Sequence, residues 1–176
     1  MNLRSSPSSP VQKSQKPAAG RARSTISAGL LMFRRQGDGF EVLLTHPGGP
    51  FFANRDDGAW TIPKGEVASG EDLLTRAQIE FEEELGIKPS GNWIELGSIK
   101  QKGGKTVHAW AFQGDLPDHF ELKSNMFEME WPPRSGKLQR FPEVDRAEFF
   151  REEIARSKIN LAQVSFLDRL REQSDR

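Results

Sequence analysis

The sequence predicts an α/β fold, specifically an α/β/α sandwich around a mixed central sheet. Apolar, strand-like segments alternate along the chain with segments of helical periodicity, which is the pattern of layered α/β domains. The chain has 176 residues, of which 35% are hydrophobic, enough to bury one substantial core but hardly two. We therefore predict one folded domain, residues 25–176, preceded by a separate N-terminal tail, residues 1–24.

The N-terminal tail has the composition of a disordered segment. It is rich in serine and proline, poor in large apolar side chains, and basic without any acidic residue. It lacks the apolar core of a secretory signal, and no run of about 18 apolar residues occurs in the sequence. Basic and acidic residues are equal in number, so the overall charge gives no argument for an anionic membrane. Because cysteine is absent, disulfides and thiolate chemistry are excluded. These features predict a cytoplasmic protein with no membrane partner.

Seven segments have the apolar composition and the bounding turn residues of β-strands: 27–33, 40–45, 59–62, 93–101, 106–113, 127–131 and 146–150. The first two are joined by a turn at residues 36–39. The third leads through Pro63 into the predicted helix that follows. The fourth and fifth form a hairpin around residues 102–105, whose two glycines adopt positive φ at little cost. Residues 160–172 close the chain as an amphipathic helix.

An amphipathic helix is also predicted over residues 71–85. It is preceded by Gly70 and followed by Gly86, residues that favour helix boundaries. The apolar stripe of this helix suits packing against a sheet and consists of Leu74, Ala77, Phe81 and Leu85.

The other face of this helix carries a dense group of acids. Glu80, Glu83 and Glu84 fall at i, i+3 and i+4, so their carboxylates share one face and repel each other. Such a cluster indicates bound cations that offset the repulsion. Carboxylate oxygens without nearby cysteine or histidine ligands suit magnesium, with manganese as the alternative.

The stretch from residue 65 to residue 87 resembles a known signature, the Nudix box of hydrolases that act on nucleoside diphosphates linked to another moiety. The positions that match the box are Gly65, Glu71, Glu80, Phe81, Glu83, Glu84, Gly86 and Ile87. One position departs from it, because Ile79 stands where the family has an arginine that braces the loop and helix. Arg76 lies four residues before Glu80 on the acidic face and is placed to substitute for that arginine.

The resemblance implies a Nudix-type sandwich and a magnesium-dependent hydrolase. Glu80, Glu83, Glu84 and the backbone carbonyl near Lys64 are the implied metal ligands, and the nucleophile is metal-activated water. This agrees with the chemistry of a phosphoanhydride, whose negative charge must be neutralised before water attacks phosphorus. The family often adds one acid from outside the box, for which Glu143 is our first choice. Its rivals are Glu128, Glu130 and Asp145.

The predicted substrate-binding residues are Lys64, Phe52, Trp60 and Arg76. Lys64, beside the box glycine, is placed to contact a phosphate. Residues 46–60 form a long, glycine-rich and aromatic segment that suits a loop covering a nucleotide. Its aromatic residues, among which Phe51 is an alternative, are candidates for stacking on a base. The wider pattern resembles bacterial nucleoside-polyphosphate hydrolases close to diadenosine polyphosphate hydrolases, which implies a nucleoside triphosphate or a dinucleoside polyphosphate.

Two other functions remain open at this point. If the basic tail engages RNA, the protein is a pyrophosphohydrolase of RNA 5′ ends, although the balanced charge gives no general argument for nucleic acid. If Ile79 disables catalysis, the chain is a nucleotide-binding domain without turnover. The histidines are interpreted as surface or satisfied residues without a metal-ligand spacing: His46, His108 and His119.

Overall fold

The computed structural model describes residues 25–176, so the tail predicted at residues 1–24 lies outside the described residues. None of the helices in the described range is long and apolar enough to span a lipid bilayer. In chain order the elements are β1 (Ile26–Gln36), β2 (Gly39–Pro47), β3 (Lys64–Glu66), α1 (Leu73–Leu85), β4 (Ile94–Lys100), β5 (Thr106–Gln113), β6 (Met126–Glu130), β7 (Leu138–Pro142), β8 (Val144–Arg151), α2 (Glu152–Lys158), a short 3₁₀ helix (Leu161–Gln163) and α3 (Val164–Ser174).

The central sheet has the strand order β4-β5-β1-β2-β8, and β3 pairs with one end of β1. It is a mixed sheet, because β1 and β5 run parallel while the other neighbours run antiparallel. Strands β6 and β7 form a separate antiparallel hairpin. The predicted α/β sandwich with a mixed central sheet is therefore confirmed.

Apolar side chains cover both faces of the sheet, because successive residues of β1 point to opposite sides. One face packs against α1 and contributes Ala28, Leu30 and Met32 to a cluster with Ala77, Phe81 and Leu85. The other face packs against α3 and contributes Leu31 and Phe33 to a cluster with Phe166, Leu167 and Leu170. The predicted stripe of α1 thus faces the sheet, and its acidic side is left for the site.

The prediction of a third strand at residues 59–62 is wrong. This segment makes only isolated bridges, Thr45 with Thr61 and Trp60 with Ile159. The third strand instead lies beyond Pro63, at Lys64–Glu66, where three residues pair with β1.

Two elements carried no usable sequence signal. Helix α2 has seven residues, too few to show a helical period, and β7 is mostly exposed and lacks an apolar alternation. The closing helix was predicted over 160–172, but it begins with a 3₁₀ turn and continues as α3 to Ser174. Helix α1 begins at Leu73 because Asp72 is its N-cap and accepts a hydrogen bond from the Thr75 backbone N–H at 2.9 Å.

Candidate active site

The loop between β3 and α1 is tied to the start of the helix. The Glu71 carboxylate accepts a hydrogen bond from the Ala68 backbone N–H at 2.7 Å, as expected of a residue that braces this loop. At the other end, Gly86 adopts a φ of 72° and closes the helix with a hydrogen bond from its N–H to the Glu82 carbonyl. Both ends of α1 are therefore fixed by local contacts.

Arg76 lies among the acids of α1 and its loop. Its Nη2 donates to the Glu80 carboxylate and lies 3.6 Å from Glu83 Oε2, and its Nη1 lies 3.9 Å from Glu71 Oε1. Its Nε is buried without a hydrogen-bond partner. The sequence predicted Arg76 as a substrate contact and as a substitute brace. The structure places its guanidinium between three carboxylates, the position that a brace requires.

The Glu80 carboxylate lies directly over the backbone of Gly65. A Cβ added at Gly65 would overlap this carboxylate, so the close approach requires glycine at that position. Burial raises the pKa of Glu80, the hydrogen bond and charge of Arg76 oppose that rise, and the charges of Glu83 and Glu143 add to it. Glu80 is therefore held at the junction of β3 and α1, where the loss of solvation outweighs the attraction of Arg76.

Glu84 and Lys64 form a half-buried pair beside Glu80. Burial raises the pKa of Glu84 to about 8, and the charge of Lys64 opposes this while Glu80 and Glu143 add to it. Burial also lowers the pKa of Lys64, and the charge of Glu84 opposes that change. Each member of the pair thus favours the charged form of the other, but desolvation outweighs the attraction for both.

Glu143 is an acid from outside the helix whose charge acts on this group. Its negative charge contributes to the raised pKa of both Glu80 and Glu84, although it lies on the far side of the β6–β7 hairpin in sequence. Two of its rivals are engaged elsewhere. Asp145 contacts His46 at 2.7 Å, and Glu128 lies 3.9 Å from Arg140. The third rival, Glu130, lies in β6 and pairs with β7.

The site has the donor chemistry of a hard-cation site, but its side chains are not gathered around a common point. Among residues 25–176, no three histidine, aspartate or glutamate side chains converge closely enough to form a ready-made metal site. The Arg76 guanidinium lies between Glu80 and Glu83 instead. The side-chain donors are carboxylate oxygens, three carboxylates share the single Arg76 guanidinium, and burial disfavours the uncompensated charge of Glu80 and Glu84, so the residues present fit magnesium or manganese.

A cleft of about 620 Å³ opens beside Lys64, a volume that suits a nucleotide-sized ligand. Its walls are formed by the loop after β2, the loop between β4 and β5, and the segment before α3. The lining residues include Phe52, Arg55, Asp57, Lys64, Gln101 and Asn160. Phe52 and Lys64 were predicted as substrate-binding residues, and the cleft brings them together. Arg55 was missed, and the signal that was available is that it is the only basic side chain among residues 47–60.

Trp60 does not lie where its predicted role requires. It is 1% exposed, and its ring packs against His46, Phe150 and the guanidinium of Arg146 at centroid distances of 5.2, 4.8 and 5.0 Å. Its Nε1 donates to Asp56 at 2.8 Å. Because its ring is enclosed in the core, Trp60 has no free face for a base. It instead supports the loop after β2 through its hydrogen bond to Asp56.

Comparisons with known proteins agree with this geometry. A family profile described as the NUDIX domain matches residues 23–170. A search of curated proteins found no match. Among solved structures, the chain is similar to a Caenorhabditis elegans Ap4A hydrolase in a binary complex, with 23% identity over 86% of this chain and 98% of that one and a TM-score of 0.61.

Two further solved structures share the fold. The NUDIX domain of Shewanella oneidensis NrtR, complexed with ADP ribose, has 13% identity over 91% of this chain and 94% of that one, with a TM-score of 0.59. The MutT protein of Methanosarcina mazei has 18% identity over 90% of this chain and all of that one (100%), also with a TM-score of 0.59. At these identities the structural likeness establishes the fold.

Proposed function

Because this chain belongs to the NUDIX domain family, an assignment that makes it a pyrophosphohydrolase, we propose that it hydrolyses a phosphoanhydride bond in a nucleoside triphosphate or a dinucleoside polyphosphate. The reaction is magnesium-dependent, with manganese as an alternative cation. Water is the nucleophile, and the cytoplasm is the compartment. The observation that carries this proposal is the cluster of carboxylates around Glu80, joined through Lys64 to a nucleotide-sized cleft.

The metal ligands in this proposal are Glu80, Glu83 and Glu84, with the backbone carbonyl near Lys64 completing the set. Glu80 and Glu84 gain the most from a cation, because their raised pKa values reflect burial and mutual repulsion that positive charge relieves. A divalent cation held there supplies neutralisation of phosphate oxygens and a lowered pKa of water. For Glu83, 44% exposed, the approach to a cation requires only rotation away from Arg76.

Glu143 is the proposed acid that takes a proton from the attacking water. It lies immediately before β8 rather than on the helix, and its charge contributes to the raised pKa of both Glu80 and Glu84. A carboxylate that water can reach is able to accept a proton from it, which suits a general base. Glu143 is also exposed at this edge, so water has access to it.

The substrate contacts in this proposal come from Lys64, Arg55 and Phe52. Lys64 is shared by the acidic group and the cleft, so a phosphate chain that contacts its ammonium lies at the carboxylates with its nucleoside end in the cleft. The Arg55 guanidinium lies 6.0 Å from the Phe52 ring centroid, and together they offer a cationic and an aromatic contact. The names of the similar structures support this class, because Ap4A and ADP ribose both contain a phosphoanhydride.

The proposal is tested by incubating the purified chain with nucleoside triphosphates, dinucleoside polyphosphates, nucleotide sugars and triphosphorylated RNA in isotopically labelled water. Products and label position identify the substrate and the attacked phosphorus. We expect turnover only with magnesium or manganese. Turnover of RNA ends alone would favour the RNA 5′-end function, and nucleotide binding without products would favour the non-catalytic one.

Variants separate the site from the fold. Glu83→Gln and Glu84→Gln each remove one ligand charge without changing side-chain size, and we expect each to lower kcat by at least about a hundredfold. The matched control is Glu82→Gln, on the same helix but on its exposed side, which we expect to leave kcat within about twofold. Full turnover in both site variants contradicts the proposed mechanism.

A further inference from the structure

His46 is a buried histidine that the mechanism above does not use. It lies near the end of β2 and is 0% exposed. Its Nδ1 lies 2.7 Å from Asp145 Oδ1, and its Nε2 lies 2.7 Å from the backbone carbonyl oxygen of Arg55. One imidazole ring therefore joins strand β8 to the loop that lines the cleft.

Both partners of this ring are hydrogen-bond acceptors. A carbonyl oxygen only accepts, so Nε2 must donate to Arg55. The contact of Nδ1 with the Asp145 carboxylate at 2.7 Å is the second bond of the ring. Because the ring is buried, neither bond is readily replaced by one to water, so the loss of either is costly.

Asp145 reaches His46 because of an irregularity in the sheet. The register between β2 and β8 shifts after the pair His46 and Arg146, so that Pro47 lies opposite Val144 and Asp145 is the extra residue. An extra residue in one strand re-aims its side chain, and bulges of this kind are frequent next to active sites. The Gly48 backbone N–H also donates to the Glu143 carbonyl at 3.0 Å, so the loop and the start of β8 are joined at two places.

The bond to Arg55 acts on the loop that forms one wall of the cleft. The loop, residues 47–59, is held at both ends: Gly48 N–H donates to the Glu143 carbonyl at 3.0 Å, and Gly58 N–H donates to the Ser157 carbonyl at 2.9 Å. Between these points its backbone makes short turns, such as Arg55 N–H to the Phe52 carbonyl at 2.9 Å. Such a turn holds neighbouring residues together but does not tie the middle of the loop to the sheet. The His46 bond ties the loop to β2 at Arg55, between its two fixed ends and next to side chains that line the cleft.

We propose that His46 is a positioning residue that sets the substrate affinity of the cleft by anchoring the Arg55 loop to strand β8. It touches no reacting atom. Its loss leaves the acids of α1 in place and releases Phe52 and Arg55, so the Michaelis constant rises while turnover at saturation is preserved. This inference rests on the proposed function, because it takes the cleft as the substrate site.

Two substitutions divide the two bonds of the ring. In His46→Gln the side-chain amide nitrogen replaces Nε2 and keeps the bond to Arg55, whereas in His46→Asn the amide replaces Nδ1 and keeps only the bond to Asp145. With ATP or diadenosine tetraphosphate, whichever the unaltered chain hydrolyses, we expect His46→Asn to raise KM about tenfold, as for one lost buried hydrogen bond, with kcat within about threefold. For His46→Gln we expect a rise of less than about threefold.

The control is His119→Asn, an exposed histidine with a φ of 59°, a conformation that asparagine tolerates well. We expect it to leave KM unchanged. An unchanged KM in His46→Asn, an equal rise in both His46 variants, or a fall in kcat at constant KM would overturn the proposal.

Amide hydrogen exchange tests the anchor without substrate or metal. On the full chain, we expect the Arg55 amide to exchange at least about tenfold faster in His46→Asn than in the unaltered chain, and the amides of α1 to exchange at the same rate. Equal exchange at Arg55 overturns the anchor even if the chain hydrolyses nucleotides. Faster exchange in a chain that hydrolyses none of them supports the anchor and counts against the proposed function alone.

Discussion

Two helices of this chain each carry an arginine and a glutamate four residues apart that form an ion pair. These are Arg76 with Glu80 on α1 and Arg156 with Glu152 on α2. In both, the glutamate side chain is largely buried, 12% exposed for Glu80 and 8% for Glu152. Around Glu152 a second guanidinium, that of Arg171, completes the contacts of the carboxylate. Around Glu80 the additional groups are acids.

The difference is one of charge balance. On α2, Arg156 contacts Glu152 at 2.8 Å and Asp168 at 2.7 Å, and Arg171 shares Glu152, so cations match anions. On α1, a single guanidinium serves Glu71, Glu80 and Glu83. A balanced buried cluster can be a structural device, whereas an unbalanced one is costly to keep and indicates a site completed by a ligand.

The largest effect on the unbalanced cluster is expected from Gly65→Ala. The new methyl group would overlap the Glu80 carboxylate and push it away from its place over the loop. We expect kcat to fall by about a hundredfold, because small displacements of a positioned group are costly to catalysis. The steady-state rate at saturating substrate and magnesium measures it.

The control for that change is Gly39→Ala. Its nearest atom would be the Gln36 carbonyl oxygen at 3.8 Å, an ordinary contact, so activity should stay within about twofold. Wild-type kcat in Gly65→Ala would show that the position of Glu80 over the loop is not needed.

A matched pair of arginine substitutions gives the next largest effect. Arg76→Gln removes the cation of the unbalanced cluster, and we expect activity and manganese affinity to fall about tenfold or more, as when a group that orients metal ligands is lost. Arg156→Gln leaves Glu152 paired with Arg171 and should cost about 1 kcal/mol of stability without changing activity. Kinetics, calorimetric titration with manganese and denaturant unfolding measure these values.

If Arg156→Gln lowers activity as much as Arg76→Gln does, the two clusters do not differ in function.

Ile79, three residues after Arg76 on α1, is 39% exposed and has room for a longer side chain. If Ile79→Arg restores manganese affinity to Arg76→Gln, the brace can be supplied from either position.

The smallest effect concerns pH. Burial raises the pKa of Glu84 from an ordinary 4.5 to about 8, so the fold favours its protonated form. Its contribution to stability is fully present below the unfolded value and is lost as pH rises through the folded one. Between about pH 5 and 8, the metal-free chain should therefore lose about 4 °C more in Tm than Glu84→Gln does.

Magnesium or manganese should reduce that loss, because a cation favours the ionised carboxylate. Scanning calorimetry at several pH values provides the measurement. Parallel Tm curves for the two proteins would show that Glu84 ionises normally and that the raised pKa is not a property of this site.

Much of this site could be predicted because its acids are close in sequence. The spacing of Glu80, Glu83 and Glu84 places them on one helical face whatever the rest of the chain does, and Gly86 marks the end of that helix. Glu143 stays a prediction: four acids in β6 and at the start of β8 were open candidates, and among them the charge of Glu143 acts on Glu80 and Glu84 only once the strands have packed.

Other parts could not be predicted because their signals are ambiguous. Trp60 and Phe52 belong to the same aromatic loop, yet one lies in the core and the other lines the cleft. Aromatic residues are at home in both places, so composition cannot separate them. His46 likewise has no neighbour in sequence that reveals its partners, which come from nine and 99 positions away.

The amino-acid sequence by itself determined the α/β class, the acidic helix and its core face, because each depends on periodicities within a single element. The tertiary structure decided which distant groups meet those acids: the glycine that Glu80 covers, the lysine that shares the cleft, and the histidine that ties the loop to β8. Burial and long-range charge set these properties, and neither exists until the sheet and its two layers have formed.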